Sequence, residues 1–458
     1  MKKPYLVVDT NILLIDAENI RTLGQNYTLV LPETVLDEVD GKKTSTNPEI
    51  KFQVRELGRI LTRATNLPIE RTAKLTVIPS DLDGIRIETV SRSDYPDYGN
   101  VDASIVNDRR IIQIAQDYAN LGHDVTFMTN DVMCNKRALA FGLKVTDLKI
   151  VEDRPIEFVR EVSVPSDVFA TLHNSVISHI VPDHRPENYN YKFIDSTTGQ
   201  VKLANLRSNC IDILGKETEA ELRRQDAAPR NAEQLFLSRA IQNSNVDIVV
   251  CDAAAGTGKT LTAFSNAIQL VKRKEYGGIL YIRTSVDDAE RAEENGFRSG
   301  NEEKTAPFFT PVYDVLNHIA RSRFKDSKLK GREYEDFIQS QIEELTDKYN
   351  IQTTTTLGMR GRTLDNMVAI IDECQNMSKS SMQKVLTRFG KDSKIILIGS
   401  NRQIDNPYIS KYNNGLAILL DACTKAYNDV SLHVTPLTRI LRSNIAEFAE
   451  RVFSNDKV

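Results

Sequence analysis

The feature that most constrains the fold is the run from Val246 to Lys272, where a strand-like segment turns into a helix-like one. Residues 246–251 are apolar except for Asp247 and rich in β-branched side chains, and apolar residues recur at helical spacing after Lys259. Between them lies the turn A-A-A-G-T-G-K-T, which matches the phosphate-loop pattern except that Ala253 replaces the first glycine. Backbone N–H groups and the positive end of a helix dipole would face an anion there. The stretch therefore predicts a site for nucleotide phosphates.

Each residue of this loop has an expected role. Lys259 would reach the β- and γ-phosphates of ATP, and the Thr260 hydroxyl would hold Mg²⁺. Alanine does not readily adopt a positive φ, so the corner at Ala253 should be built differently from the standard loop. Upstream, the amide of Gln234 could pair with the edge of adenine and select ATP. The phosphates themselves would be cradled by Ala255, Gly256, Thr257 and Gly258.

Two later strand-like segments end in side chains that suit the same site. V-A-I-I-D-E ends in Asp372, which would complete the Mg²⁺ shell, and in Glu373, which would act as general base toward the attacking water. The next apolar run leads to Gln403, which could contact the γ-phosphate. Near the end of the chain, Arg439 and Arg442 are alternative candidates for an arginine finger.

The first 150 residues carry acidic residues next to several separate strand-like runs: Asp9, Glu38, Asp108 and Asp131. Carboxylates at the carboxyl ends of strands in an open α/β sheet lie where ligands bind. Several of them can converge only if cations neutralise them, which predicts Mg²⁺ or Mn²⁺ held by oxygen ligands. Two such ions could support phosphodiester cleavage. Taken singly, Asp9 and Asp131 could equally be helix N-caps.

Composition bounds the setting of the chain. Its 458 residues predict two or three domains, and its net charge of -4 gives no global nucleic-acid signature. A polynucleotide would therefore have to bind in a local groove. Five scattered cysteines without a C-x-x-C pair exclude a zinc ribbon and favour a reducing environment. With no apolar run of membrane-spanning length and no signal-peptide pattern, we expect a cytoplasmic protein.

Three β-like runs separated by turn clusters predict a small β-rich connector over residues 151–228. There, Tyr189 and Tyr191 could stack nucleic-acid bases or pack a small β core, and packing is the favoured interpretation. The expected division is an α/β domain over residues 1–150, this connector, and a second α/β domain over residues 229–458.

The N-terminal runs V-V-D-T-N-I-L-L, P-E-T-V-L-D-E-V-D, N-D-R-R-I-I-Q-I-A and F-M-T-N-D-V resemble a PIN domain. That family has a Rossmann-like fold and contains metal-dependent ribonucleases. The resemblance places its acids on Asp9, Glu38, Asp108 and Asp131. Asp102 is an alternative to Asp108, and Asn11 and Thr129 match the family's polar companions.

The C-terminal runs R-N-A-E-Q, A-A-A-G-T-G-K-T, R-G-R-T-L-D-N, I-I-D-E-C-Q-N and I-G-S-N-R-Q-I-D resemble a RecA-like, PhoH-type P-loop ATPase. One departure from that family is Ser400, which stands where an Asp is expected. The whole chain is similar to PIN–PhoH fusion proteins. This resemblance implies an ATP-dependent helicase or translocase on single-stranded RNA, coupled to cleavage of that RNA. It also implies a homo-oligomer, of which a hexameric ring is one form.

Two alternatives stay open at this point. Ala253 and Ser400 favour a nucleotide-switched nucleic-acid-binding protein with weak or degenerate catalysis. The same pair of enzymes could also act on DNA, since nothing in the sequence separates DNA from RNA.

Overall fold

The structure is a computed structural model of the 458-residue chain. It describes residues 3–45, 48–99, 101–148, 156–186, 188–207, 209–284, 302–325, 327–359, 361–406, 409–425, 427, 429–441, 448 and 452. The chain divides into two compact units, one built mainly from Met1–Ile150 and the other from most of residues 151–458. Among the described helices, none combines the length and the apolar character needed to cross a membrane.

The first unit is organised around an eight-stranded mixed sheet in the order β3-β5-β6-β2-β1-β7-β8, with β4 also paired to β5. The strands from β6 to β8 in this order are parallel, and β3, β4 and β5 pair antiparallel. The strands are β1 (Tyr5–Val8), β2 (Thr28–Pro32), β3 (Thr65–Asn66), β4 (Glu70–Arg71), β5 (Leu75–Leu82), β6 (Ile85–Arg92), β7 (Val125–Met128) and β8 (Lys144–Thr146). The helices are α1 (Thr10–Ile15), α2 (Asn19–Gly24), α3 (Glu33–Gly41), α4 (Pro48–Thr62), α5 (Ala103–Asn120) and α6 (Val132–Ala140).

The centre of this sheet explains where its polar residues emerge. Strands β1 and β2 are buried almost throughout, as expected for parallel strands, which read as continuous apolar runs. β1 pairs with β7 in a register that sets Val8 opposite Met128. The next residues along the two strands, Asp9 and Thr129, therefore leave the sheet side by side at its carboxyl edge.

The second unit begins with a four-stranded sheet in the order β12-β11-β10-β9. Its elements are β9 (Val159–Val164), α7 (Ser166–Ala170), α8 (Ile177–Ile180), β10 (Asn190–Asp195), β11 (Val201–Arg207), β12 (Cys210–Ile213) and α9 (Lys216–Arg223). Tyr191 is fully buried and stacks on Phe193 with ring centroids 5.3 Å apart. The Tyr189 hydroxyl donates to the carbonyl of Cys423. The packing interpretation is therefore confirmed for Tyr191, which lies in the core of this small sheet, whereas Tyr189 packs outside that core against residues of the parallel-sheet part of the unit.

The same unit contains a six-stranded, wholly parallel sheet in the order β15-β14-β16-β17-β13-β18. Its strands are β13 (Ile248–Asp252), β14 (Ile279–Arg283), β15 (Ile351–Thr355), β16 (Val368–Asp372), β17 (Lys394–Gly399) and β18 (Leu432–Val434). Its helices are α10 (Ala232–Gln242), α11 (Lys259–Lys272), α12 (Glu302–Arg323), α13 (Gly331–Lys348), α14 (Lys379–Leu386) and α15 (Gly415–Ala422). Strand β17 separates β13 from β16, so the phosphate loop and Asp372 lie at the same carboxyl edge, one strand apart.

A buried hydrogen-bond network joins the two sheets of this unit. The Asn190 side chain donates to the carbonyls of Phe158 (3.0 Å) and Val434 (2.9 Å). Its Oδ1 lies 2.7 Å from Asn205 Nδ2, which donates, and 3.0 Å from His433 Nε2. Burial and the charge of a nearby lysine lower the pKa of His433 to about 3. The neutral ring therefore donates from Nε2, and both ends of the Asn190 amide are satisfied.

Replacing Asn190 with alanine is expected to lower the free energy of unfolding of the second unit by at least about 3 kcal/mol. The reason is that three groups each lose a buried hydrogen bond: the carbonyl of Val434, the amide of Asn205 and the imidazole of His433. The carbonyl of Phe158, in contrast, keeps its bond from the backbone N–H of residue 190. Asn245→Ala, which removes an exposed side chain, is the matched control. The measurement is chemical denaturation of the full chain. Equal midpoints for the two variants would contradict this role of Asn190.

Candidate functional site

The phosphate loop adopts its turn without needing a glycine at its first position. The positive φ values fall on Gly256 (74°) and Gly258 (80°), and Ala253 is not among the residues with positive φ. The N–H of Ala253 instead donates to the carbonyl of Gly399 at 2.8 Å, and the residue forms a parallel bridge with Leu437. The corner is therefore held by neighbouring strands, and the methyl group of Ala253 imposes no backbone strain.

Four predicted residues come together at the start of α11. Lys259 Nζ lies 3.5 Å from Glu373 Oε1, and Thr260 Oγ1 lies 3.3 Å from Asp372 Oδ2. Burial lowers the pKa of Lys259, but the charges of Glu373 and Asp372 outweigh burial and leave the pKa above its usual value. Lys259 is therefore a firmly protonated cation. A γ-phosphate at the loop would compete with Glu373 for this ammonium group.

Asp372 is suited to holding a divalent cation. It is buried, it accepts a hydrogen bond from the Tyr281 hydroxyl at 2.8 Å, and burial raises its pKa above the usual value. Thr260 supplies a second oxygen close by. Mg²⁺ prefers hard oxygen donors that include a carboxylate, so Thr260 and Asp372 fit the ion predicted for them.

Gln375, which the sequence analysis did not single out, connects the predicted base to the neighbouring loop. It is fully buried, and its Nε2 donates to Glu373 Oε2 at 2.7 Å and to the carbonyl of Gln403 at 2.8 Å. Its Oε1 accepts from the N–H of Ser400 at 3.1 Å. Glu373 itself has a φ of 56°, in the left-handed region. Gln375 therefore positions both the carboxylate and the segment after β17.

Replacing Gln375 with alanine is expected to lower kcat for ATP about 10-fold or more while changing KM little, because Glu373 would lose its positioning partner. The change should also cost about 1–3 kcal/mol of stability, since the groups of Ser400 and Gln403 are left unpaired. Steady-state phosphate release and denaturation midpoints measure the two effects. Gln383→Ala, at an exposed position of α14, is the control, and equal kcat values for the two variants would contradict the assignment.

Gln234 is buried, and both ends of its amide are already used. Its Oε1 accepts from the N–H of Arg230 at 2.8 Å, and its Nε2 donates to the carbonyl of Thr257 at 2.9 Å. The residue therefore braces the phosphate loop from outside. Its predicted contact with adenine stays a prediction.

The remaining predicted residues of this site are placed less directly. The side chain of Gln403 is exposed, and its carbonyl is the group that contacts Gln375. The N–H of Leu441 donates to the carbonyl of Gly256 at 3.0 Å, so the C-terminal segment runs beside the phosphate loop. Arg439 is exposed on that segment. Arg442 lies outside the described residues.

In the first unit, hydrogen bonds connect the predicted acids through polar residues that lie next to them in the sequence. Asp9 Oδ2 accepts from Thr129 Oγ1 at 2.6 Å and from Asn11 Nδ2 at 2.8 Å. Thr129 Oγ1 in turn accepts from the N–H of Asp131 at 3.0 Å. On the other side, the Thr10 hydroxyl donates to Glu38.

Charge repulsion shows that the four acids face a common region. Burial raises the pKa of Asp9 to about 6, and the charges of Glu38 and Asp131 add to the shift against hydrogen bonds that lower it. Burial also raises the pKa of Asp108 to about 6, where the charges of the other three acids outweigh that of Arg137. Asp102 instead occupies an exposed position just before α5, so Asp108 is the acid that shares this region.

The expectation that the four acids lie next to strands is correct for only two of them. Asp9 follows β1 and Asp131 follows β7 closely, whereas Glu38 lies within α3 and Asp108 within α5. Asp9 accepts from the N–H of Thr10, and Asp131 accepts from the N–H groups of the first turn of α6. Asp9 and Asp131 therefore cap helices, as the alternative interpretation predicted, and they also belong to the cluster of acids. Helices α3 and α5 bring the other two because they pack on the same sheet edge.

The four carboxylates are suitable ligands for a hard divalent cation, but their arrangement limits how many of them can bind one ion. All four groups are carboxylates, and the charges of neighbouring acids add to burial in raising the pKa of Asp9 and of Asp108, so a cation would relieve part of both shifts. However, no three His, Cys, Asp or Glu side chains within the described ranges are arranged to ligate one ion. Mg²⁺ commonly uses one or two carboxylates and completes its shell with water, which is the arrangement these residues can offer.

Sequence reasoning missed two side chains that border the acids. Arg137 on α6 forms an ion pair with Asp108. Asn107 Nδ2 donates to Glu38 Oε1 at 2.8 Å. Asn107 is adjacent to a predicted acid in the sequence and Arg137 lies on the helix that Asp131 caps, but neither residue type signals such a role by itself.

Comparisons with known proteins identify a family model for each of the two units. The family model "PhoH-like protein" matches residues 226–454, and the model "PIN domain" matches residues 6–149. Protein PhoH2 of Bacillus subtilis is 26% identical over 437 residues, covering 92% of this chain and 93% of the relative. Protein PhoH2 of Thermobispora bispora is 25% identical over 451 residues, covering 96% of this chain and 94% of the relative. A PhoH-like protein of Synechocystis is 34% identical over 166 residues, covering 36% and 44% of the two chains.

These matches confirm the resemblance that the motifs indicate. The PhoH model alone spans half of the chain, and the PIN model spans nearly all of the first unit. The two domain types imply a P-loop ATPase and a nuclease. The chain therefore belongs to the PhoH-like protein family, as a member in which a PIN domain precedes the PhoH domain.

Proposed function

We propose that this protein is an ATP-driven RNA helicase or translocase whose own PIN domain acts as a metal-dependent endoribonuclease on single-stranded RNA. The observation that carries the proposal is the presence of two sites in one chain, one suited to ATP hydrolysis and the other to metal-dependent phosphodiester cleavage. One gathers Lys259, Thr260, Asp372 and Glu373 at the phosphate loop. The other gathers four mutually repelling carboxylates at the edge of the first sheet.

At the phosphate loop, each residue has a chemical task in ATP hydrolysis. The ammonium group of Lys259 would bind the β- and γ-phosphates, and Glu373 would take the proton from the attacking water. Gln375 holds Glu373 for that step through its bond to Oε2. Thr260 and Asp372 would hold Mg²⁺, which when bound supplies positive charge against the phosphates. Gln403 and either Arg439 or Arg442 would respond to the γ-phosphate.

At the edge of the first sheet, Asp9, Glu38, Asp108 and Asp131 would hold Mg²⁺ or Mn²⁺. The ion, when bound, supplies an activated water and charge for phosphodiester hydrolysis. Asn11 and Thr129 donate to the same oxygen of Asp9 and so fix the orientation of its carboxylate.

We assign residues 1–150 to the nuclease, 151–228 to a connector and 229–458 to the motor. The contacts of Tyr189 with Cys423, at the end of α15, and of Asn190 with Val434 in β18 support a connector that is anchored to the motor. We further propose a homo-oligomer, with a hexameric ring as the form to test, in the cytoplasm. The described free thiols support a reducing compartment.

Two observations bear on the alternatives. Ser400 stands where the family has an Asp and engages Gln375 through its backbone only, which favours a nucleotide switch with weak hydrolysis. The backbone of Ala253, in contrast, is unstrained and gives no support to that alternative. DNA as substrate has no observation in its favour beyond the shared phosphate chemistry.

The test uses the purified full chain with end-labelled single-stranded RNA and DNA of one sequence. Cleavage and phosphate release are followed with Mg²⁺ or Mn²⁺, and with ATP or a non-hydrolysable analogue. We expect RNA cleavage that depends on the metal and is stimulated by ATP but not by the analogue. Equal stimulation by the analogue would favour the switch, and preferential cleavage of DNA would change the substrate. Sedimentation velocity with and without nucleotide tests the ring.

A further inference from the structure

The cavity that contains the phosphate loop extends to a glutamine that the proposed mechanism does not use. Its volume is about 1260 Å³, and its wall includes Gly256, Lys259 and Thr260 as well as Gln225. Ligand pockets commonly measure roughly 300–1,000 Å³, so a whole nucleoside triphosphate fits. Residues of α12, among them Val315, line the same space. A nucleotide whose phosphates occupy the loop has room for its base within this cavity.

Gln225 is a buried polar side chain in this wall whose hydrogen-bonding capacity the described residues leave unused. It is only 8% exposed, yet within the described part of the chain neither Nε2 nor Oε1 has a hydrogen-bond partner. A buried amide of this kind is destabilising and calls for an explanation such as a ligand. Gln234, the glutamine predicted to read the base, has its amide bound to Arg230 and Thr257.

The backbone that follows Gln225 is held firmly, which fixes the point from which its side chain extends. Asp226 forms a bidentate ion pair with Arg323, with distances of 2.7 and 2.6 Å. The N–H of Ala227 donates to Ser265 Oγ at 3.1 Å. These bonds attach the segment after Gln225 to α12 and α11 respectively. A residue fixed in this way loses little freedom on binding a ligand.

We propose that Gln225 reads the base of the bound nucleotide and selects adenine. Its Nε2–H would donate to adenine N7 while its Oε1 accepts from the N6 amino group, the pairing that suits a glutamine amide. At the same edge guanine presents two acceptors, so Oε1 would face O6 and repel it. The side chain of Val315 supplies an apolar wall for the ring. This inference rests on the proposed ATPase function, and Gln225 lies one residue outside the segment that the PhoH model matches.

The test is equilibrium binding of fluorescent ATP and GTP derivatives to the full chain, with inorganic tripolyphosphate as a competitor that lacks a base. We expect Gln225→Met, which keeps the length but removes the amide, to weaken ATP binding at least about 10-fold and to bring the ATP/GTP affinity ratio close to one. Competition by tripolyphosphate should not change. Gln234→Met is the matched comparison, and it should weaken ATP, GTP and tripolyphosphate together with the ratio preserved.

Folding is checked by thermal melting without nucleotide, where Gln225→Met should melt no lower than wild type because it removes an unpaired buried amide. If Gln225→Met misfolds, the ATP/GTP affinity ratio is measured with Gln225→Glu instead. This variant removes the donor that faces N7, so the ratio should again fall close to one. An unchanged ATP/GTP ratio in the Gln225 variants, or its collapse in Gln234→Met, would overturn the inference while leaving the ATPase proposal intact. A wild type that binds neither nucleotide nor tripolyphosphate would instead overturn the ATPase proposal, and the inference with it.

Discussion

Replacing Lys259 with alanine is expected to lower kcat/KM for ATP hydrolysis by at least about 100-fold, the scale seen when a preorganised charge or donor at the transition state is removed. Lys259 is the ammonium group at the start of α11, and Glu373 and Asp372 keep it protonated. Alanine at this position would leave the negative charge of the phosphates and of both acids without their nearest cation. Nucleotide binding should weaken as well, because the same ammonium group is the one proposed to bind the β- and γ-phosphates.

Steady-state phosphate release over a range of ATP concentrations measures this effect. Lys272→Ala is the matched control because it makes the same change at an exposed position in the last turn of the same helix. We expect the control to hydrolyse ATP like wild type. Equal rates for Lys259→Ala and wild type would show that hydrolysis does not occur at this loop.

Replacing Asp9 with asparagine is expected to lower RNA cleavage by more than about 100-fold, because even outer-shell partners of a metal typically contribute 10–100-fold. The same change should stabilise the fold when divalent cations are removed. Burial raises the pKa of Asp9 from 3.8 to about 6. Between these values the folded state binds more protons than the unfolded chain, so the free energy of unfolding falls as the pH rises through this window.

The size of this stability effect is set by the pKa shift. Two pKa units correspond to about 3 kcal/mol, which is an upper value because Asp108 titrates in the same range and is coupled to Asp9. In EDTA at pH 7.5, Asp9→Asn should therefore melt above wild type, whereas at pH 4 the two should converge. Adding Mn²⁺ should raise the melting temperature of wild type and have little effect on the variant.

The control for Asp9 is Asp124→Asn, an exposed residue just before β7, at the opposite end of that strand from the acids. It should cleave RNA and respond to Mn²⁺ like wild type. If Asp9→Asn cleaves RNA at the wild-type rate, the four acids are not the nuclease site. If Mn²⁺ raises the melting temperature of Asp9→Asn as much as that of wild type, the cation binds elsewhere.

Several strands could be located from the sequence almost to the residue. The strand-like runs that precede Asp9, Asp131 and Gln403 in the sequence are observed as β1, β7 and β17. They are recognisable because parallel strands covered on both faces are continuous apolar runs, bounded by the polar residues that leave the sheet. Helix α3 also carries a usable signal, since Val35 and Val39 are spaced by one helical turn, but the acid-rich sequence between them favours the interpretation as a strand end.

Local sequence patterns were therefore sufficient to locate these secondary-structure elements and the residues of the phosphate loop. The strand, the glycine turn and the helix of the phosphate loop position Lys259 and Thr260 by themselves, because all three elements lie within one short segment of sequence. Which acids share a site depended on packing between segments up to about 120 residues apart, as in the bond from Thr129 to Asp9. No local periodicity encodes that.

The two glutamine assignments show the same division most clearly. From the sequence, Gln234 is predicted to contact adenine because it lies shortly before the phosphate loop. Only the tertiary structure decided which amide is left without a partner: both ends of the Gln234 amide are bonded, whereas Gln225 is buried beside α11 and α12 with both ends of its amide unpaired among the described residues. Gln375 likewise acquires its role only when β16 and β17 lie side by side and bring Glu373 and Ser400 within reach of one amide.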